Sequence, residues 1–306
     1  VLYKLWEGSW DDDAVVIDRG RRIYTDPTKV RAIDHVGEHF RVAGPHLAEP
    51  SVQRTPVIFQ AGSSDRGRVF AAQHAEGVFV GGRSLEVYRE NVADIRRRAV
   101  EHGRRAHDVK TYASAVVVVG RDTADAQAKA EEFRRLSSAE GYLAHAGGSG
   151  IDLAAHPRDA VIDDILAAEA RAGRDAGQSG RRFHAPGTTV GEALDAVTAF
   201  DRNPFFVAGS AVQVADALER WVDETGLDGF NLRQFLTPGT AEDFIEHVIP
   251  ELQRRGRYRT RYEESTFRER LFGAGARRVN DHHPAARYRG GANLLGVERE
   301  RITVAS

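Results

Sequence analysis

Residues 56–68, Pro56-Val57-Ile58-Phe59-Gln60-Ala61-Gly62-Ser63-Ser64-Asp65-Arg66-Gly67-Arg68, decide the fold. The apolar run from Pro56 to Ala61 lacks the alternation of a half-solvated strand and suits one buried on both faces, as in a parallel sheet. Gly62 then breaks the strand, and the serines after it supply a side-chain oxygen to open a helix reaching about His74. The same order repeats downstream. A strand over Gly77–Val80 precedes a helix from Ser84 to about His102, and a strand over Tyr112–Val119 precedes a helix from Asp122 to about Leu136. This alternation predicts an α/β fold with a mainly parallel sheet, and repeats of about 20–35 residues suit a (β/α)8 TIM barrel as well as a doubly wound sheet.

Upstream, Val1 to about Ser51 reads as an irregular connection that begins with a short helix. Downstream, 141–186 is rich in Gly, His and Ala and departs from the pattern as an excursion, with one helical piece near Val161–Arg171. Three helix starts then carry the spacing of a capping box: Thr189 with Glu192, Ser210 with Gln213, and Thr240 with Asp243. Leu227–Leu232 gives the fourth strand, and the final helix ends near Arg255. From Gly273 onward Arg, Gly, His and Asn follow no period, which predicts a domain over 1–272 and a poorly ordered tail over 273–306. Four strands do not close a barrel of eight, so the chain reads as about the last four β/α units, with the N-terminal strands expected before Val1. The absence of Met fits either a missing beginning or a GTG start codon written as valine.

The chain has 306 residues, 41% of them hydrophobic, with 43 Lys and Arg against 45 Asp and Glu for a net charge of −2. That is enough chain for one large core or two smaller ones, and a mean hydropathy of −0.45 without a long apolar run excludes a membrane-spanning protein. Without Cys there is no disulfide framework, thiolate metal site or cysteine nucleophile. With no recognisable leader at its start, the chain is expected in the cytoplasm. The balanced charge argues against a nucleic-acid partner, even though Tyr258, Tyr262 and Phe267 interleave the arginines between Arg254 and Arg270. Glu263, Glu264 and Glu269 offset that run, which reads as solvated or subunit-facing.

The chemistry-bearing motif is Gln60-Ala61-Gly62-Ser63-Ser64. A strand ending in Gly and hydroxyls before a helix offers backbone N–H groups and the positive end of the helix dipole to an anion. Gly62 permits close approach of a phosphate, Ser63 and Ser64 add hydroxyl donors, and Arg66 or Arg68 is placed to neutralise charge. As a bare local pattern, an ordinary serine N-cap explains it as well.

Several blocks resemble the luciferase-like flavin monooxygenases, in the branch that includes nitrilotriacetate monooxygenase component A and the dibenzothiophene-sulfone and long-chain alkane monooxygenases. They are Leu5-Trp6 through Trp10-Asp11-Asp12-Asp13-Ala14, Tyr24-Thr25-Asp26-Pro27 through Gly44-Pro45, 56–68, Asp228-Gly229-Phe230-Asn231-Leu232, and Val248-Ile249-Pro250 through Gly256. The resemblance implies a (β/α)8 barrel that takes reduced FMN from a separate NADH-dependent flavin reductase and uses O2 to oxygenate a small organic substrate. It also implies association into homo-oligomers. Only Gly62, Ser63 and Ser64 carry over as cofactor-binding residues, and no metal is implied.

His145 falls in the excursion, where this branch builds part of its substrate pocket. Two readings stand for it, a hydrogen-bonding partner of the flavin peroxide or of a substrate acid, and a plain loop histidine, with His184 in the same position on weaker grounds. Asp11-Asp12-Asp13 lacks the oxygen-ligand spacing of a hard-cation loop and reads as a solvated helix end, and His282-His283 lacks a metal-ligand partner. A second class of function remains open at this level, a truncated, non-catalytic remnant serving as a dimerisation or binding module. An aldolase-like phosphate-binding barrel is disfavoured because Lys110 precedes its strand instead of ending it.

Overall fold

The computed structural model describes residues 1–61, 64–139, 141, 152–173 and 185–294. A short π-helical turn, Lys4–Gly8, leads into two antiparallel pairs, β1 (Val15–Asp18) with β2 (Ile23–Thr25) and β3 (His35–Val36) with β4 (Arg41–Val42). The segment expected to be irregular is thus partly hairpin. Next come β5 (Phe59–Ala61), α1 (Asp65–His74), β6 (Gly77–Phe79), α2 (Leu85–Glu101), β7 (Lys110–Val119) and α3 (Thr123–Leu136). They are followed by α4 (Ile162–Arg171), α5 (Val190–Thr198), β8 (Phe206–Gly209), α6 (Ala211–Thr225) and β9 (Gly229–Arg233). α7 (Gly239–Asp243), α8 (Ile249–Arg254) and α9 (Phe267–Phe272) follow, with a 3-10 segment over Pro284–Gly291 after them. The class is α/β: β5 with β6, β6 with β7, and β7 with β8 all pair in parallel.

The chain divides into two compact units, each drawn from separate stretches of sequence. The first takes Val1–Gly81, Arg89–Tyr112 and Arg261–Ser306. In it Gly77 stands between Phe59 and Lys110, and Phe79 between Ala61 and Tyr112. Val78 and Thr111 are buried on one face. On the other, the Phe59 ring lies against Phe79, Tyr112 and Phe267 at centroid distances of 5.6, 5.9 and 6.2 Å. Gly77 makes this possible, because a Cβ there would fall 2.4 Å from the Phe59 ring. Within α2, Val92, Ile95 and Ala99 recur at helical spacing and are all buried.

Charge is also buried in this unit. Arg268 of α9 is 1% exposed and forms a two-pronged pair with Glu76, Nε to Oε1 at 2.7 Å and Nη2 to Oε2 at 2.8 Å. Its remaining donors reach backbone carbonyls of Thr55, Gln53 and Arg277. The expectation of a solvated 254–270 run therefore fails at Arg268, for a reason local sequence does not carry: its carboxylate partner lies 192 residues away. Glu269 completes a capping box with Thr266, which its solvated reading also overlooked.

The tail reading needs correction as well. Residues 273–294 are placed, with Val279, His283, Ala285 and Leu294 buried, and the Leu294 carbonyl accepts from Lys4 Nζ at 2.6 Å. The segment is held by point contacts, so it shows no hydrophobic period. His283 Nδ1 accepts from the Ala285 N–H at 3.1 Å while Nε2 stands 2.9 Å from the His74 carbonyl. A neutral ring with its hydrogen on Nε2 satisfies both.

The second unit takes Gly82–Tyr88 and Ala113–Thr260. Val116–Val119 of β7 pairs in register with Phe206–Gly209 of β8, a strand too short and too close to Pro204 to be read from sequence. Phe205 is fully buried among Tyr88, Trp221 and Phe230, with centroids at 4.5, 5.3 and 5.3 Å. Edge-on aromatic contacts of this kind add about 0.5–1.5 kcal/mol beyond the area they bury. A second cluster joins Ile162, Ile165 and Leu166 of α4 to Val190 and Leu194 of α5.

Capping boxes form at Thr189 with Glu192 and Ser210 with Gln213, as their spacing predicts. α6 ends at Gly226 with φ +72°, a left-handed conformation suited to glycine. The third expected box is absent. α7 starts at Gly239, before Thr240, whose hydroxyl instead accepts from the Leu236 N–H at 3.1 Å.

Two expected outcomes follow for the first unit. Arg268→Ala leaves Glu76 charged and unpaired in the interior, so it should lower unfolding stability by about 3–5 kcal/mol, whereas Arg268→Met with Glu76→Leu should cost much less. Urea denaturation measures both, and a loss below about 1 kcal/mol for Arg268→Ala would show that the pair is not buried as described.

The second outcome concerns pH. Burial pushes the His283 pKa down from 6.5 to about 4 against the opposing His74 carbonyl contact, with Arg104, His74 and Arg268 adding to the depression. The unfolded ring takes up a proton that the folded one refuses. Stability from this site is therefore complete above about pH 6.5 and declines as pH falls toward 4, by on the order of 3 kcal/mol. His283→Asn should flatten that part of the pH–stability curve, and an unchanged slope would discount the histidine.

Candidate functional site

The phosphate-type motif sits where β5 ends and α1 begins. Ser64 has an extended backbone (φ −64°, ψ 154°), and its Oγ accepts from the Gly67 N–H at 3.1 Å, which makes it the helix N-cap. Both readings of the motif are compatible with this geometry. Capping uses one acceptor lone pair of the hydroxyl and leaves its proton free to donate to a ligand oxygen. The first-turn N–H groups and the positive end of the ten-residue helix lie at the same point.

Asp65, the first residue of α1, would repel an anion if left alone. Arg98 of α2 neutralises it, with Nη2 2.7 Å from Oδ1. Arg68, one turn into α1, is held by Asp94 through Nη1 at 3.3 Å, and its buried Nε–H has no hydrogen-bond partner among the described residues. Arg66 is exposed. α2 fixes the neighbouring strand end too, because Asn91 Nδ2 donates to the Gly81 carbonyl at 2.9 Å just after β6. Asn91, Asp94 and Arg98 recur at one-turn intervals, so a single face of α2 holds both the loop after β6 and the first turn of α1.

A hydroxyl donor, helix N–H groups and a neutralised carboxylate suit the oxygens of a phosphate monoester. Of the residues expected in the site, Ser64 is where the sequence places it. Gly62, Ser63, His145 and His184 lie outside the described residues. The Asp11–Asp13 run is a set of ion pairs: Asp11 with Arg31, Asp12 with Arg54 and Arg278, Asp13 with Lys29. His282 and His283 make no metal centre, and among the described residues no group of three His, Asp or Glu is placed to hold a metal ion. No described helix is long and apolar enough to cross a membrane.

Asp94 and Arg98 escaped the sequence reading. Their only local signal is the i, i+3 and i+4 spacing of Asp94 with Arg97 and Arg98, which any solvated helix face shares.

The model of the luciferase-like monooxygenase family matches residues 3–229. The long-chain alkane monooxygenase of Geobacillus thermodenitrificans is 47% identical over 291 residues, covering 94% of this chain and 61% of that protein. The dimethyl-sulfide monooxygenase of Hyphomicrobium sulfonivorans is 42% identical over 294 residues, covering 94% and 60%. A crystal structure of riboflavin lyase with modified FMN and its substrate riboflavin superposes with a TM-score of 0.79 at 37% identity, over 94% of this chain and 62% of that one. The chain thus spans about three-fifths of the length of the relatives it matches. Its parallel strands alternating with helices are those of a TIM-barrel fold class, and by the family match the chain belongs to the luciferase-like monooxygenases.

Proposed function

We propose that this chain carries the phosphate-anchoring part of a flavin site in an FMN-dependent, two-component monooxygenase. The oxygenase takes reduced FMN from a separate NADH-dependent flavin reductase and uses it with O2 to oxygenate a small organic substrate. The observation that carries this reading is the Ser64-capped α1 directly after β5, in a chain similar to a protein whose crystal structure holds a modified FMN. FMN, when bound, supplies the oxygen chemistry, so the protein needs no nucleophile or metal of its own.

The chain's residues then bind and orient. The Ser64 hydroxyl donates to a phosphate oxygen, the first-turn N–H groups of α1 complete the cradle with Gly62 and Ser63, and Arg98 removes the repulsion of Asp65. The assembly is proposed to be a homo-oligomer. The named substrates of the relatives, a long-chain alkane and dimethyl sulfide, are small organic molecules of different shape, and the anchor itself does not choose between such substrates.

Anaerobic titration with reduced FMN beside reduced riboflavin, which lacks the phosphate, tests the reading. FMN should bind more tightly, and Ser63→Ala with Ser64→Ala should weaken FMN by about 1–3 kcal/mol with little effect on riboflavin. Equal affinity for the two flavins in the wild type would remove the phosphate anchor. No binding of either would favour the other reading, a non-catalytic dimerisation or binding module.

A further inference from the structure

Asp94 lies on the face of α2 that meets the first turn of α1. Its carboxylate accepts from Arg68 Nη1 at 3.3 Å, from Arg98 Nε at 2.9 Å and from Arg97 Nη2. Two of these guanidiniums lead to the site. Arg68 belongs to α1, and Arg98 spans two carboxylates, Asp94 through Nε and Asp65 through Nη2. Burial raises the cost of charge on Asp94, and the three arginines outweigh it, holding the carboxyl below its usual range.

An isolated exposed ion pair contributes little, but a planar guanidinium bridging two carboxylates fixes direction as well as distance. The site needs direction, because the N–H groups of α1 bind an anion only while they converge on one point.

We propose that Asp94 is a positioning residue for the phosphate end of the flavin site, holding the first turn of α1 in place through Arg68 and Arg98. This rests on the flavin reading above and adds a residue that touches neither flavin nor substrate. Charge and geometry give opposite answers when Asp94 is neutralised. Asp65, Asp94 and Glu101 balance Arg68, Arg97 and Arg98 in this ion-pair network, so Asp94→Asn leaves it one unit more positive. A purely electrostatic role then predicts tighter binding of the phosphate. A positioning role predicts weaker binding despite the added positive charge.

The test compares dissociation constants of reduced FMN and reduced riboflavin for wild type, Asp94→Asn and Asp94→Glu at about 0.15 M salt. Asp94→Asn is expected to weaken FMN about fivefold or more while riboflavin stays within about twofold, and Asp94→Glu to restore part of the loss. In the flavin-free protein, hydrogen exchange at the amides of Asp65, Arg66 and Gly67 should quicken in Asp94→Asn. FMN affinity that is unchanged or tighter, riboflavin weakened equally, or unchanged exchange overturns the proposal. A wild type that does not prefer FMN to riboflavin overturns the flavin reading and this one together. A preference that Asp94→Asn retains in full overturns this one alone. Should Asp94→Asn fail to fold, Arg98→Lys makes the same comparison, because a single ammonium cannot bridge Asp65 and Asp94 in the same geometry.

Discussion

The first unit depends on one buried charge pair. Glu76 occupies the turn between α1 and β6, where its N–H donates to the Ile58 carbonyl at 2.8 Å and its own carbonyl accepts from the Lys110 N–H at 2.8 Å. Arg268 reaches it from α9 and also takes the carbonyls of Gln53 and Thr55, just ahead of β5. One guanidinium thereby ties the chain before β5, the turn after α1 and the C-terminal segment into a single arrangement. Burying two ions is costly, and the pair persists because its lone pairs and protons are spent on one another and on backbone carbonyls. Arg104 works beside it with the carbonyls of Ala72, Ala75 and Asp108, closing the C-terminal end of α1.

With that end of α1 fixed, its other end is free to serve as a site. The helix is held at the bottom by Arg104 and the Glu76 turn and at the top by Asp94 and Arg98, leaving the capped first turn exposed at the strand end. Parallel α/β folds place ligands at the carboxyl ends of their strands for this reason: the helix termini that follow are positively polarised and their N–H groups lack partners. A phosphate gains from both, and binding on backbone groups asks little of the side chains.

That economy explains how much was legible in the sequence. The alternation of β5, α1, β6, α2, β7 and α3 was readable because each element has its own period and its own cap. Ser64 was readable because a cap is a local pattern. Arg268 looked like one more arginine in a charged run, since its burial depends on a glutamate far away in sequence. Thr240 carried the right spacing and still did not cap, because α7 starts at Gly239 and so places Thr240 inside the helix, where its hydroxyl accepts from the Leu236 N–H. β8 escaped because four residues beside a proline carry no measurable period, and the placed part of the tail because it packs through single contacts at Val279, His283 and Ala285. Asp94 belongs with Arg268: its spacing was visible, but not the helix it grips.

The remaining question is why the site announces so little of its chemistry. When a cofactor performs the reaction, the protein's task is to bind, orient and keep out water, and none of these requires a triad or a ligand cluster. On the proposed reading, the phosphate anchor itself carries no information about the substrate. Proteins named for a long-chain alkane, for dimethyl sulfide and for riboflavin are 47%, 42% and 37% identical to this chain, so identity of this size does not track substrate. Residues that grip phosphate cannot distinguish a hydrocarbon from a sulfide, because neither presents anything to them. On the proposed reading, substrate choice resides in side chains away from β5 and α1, because a phosphate anchor makes no contact with the part of the site where the substrate differs.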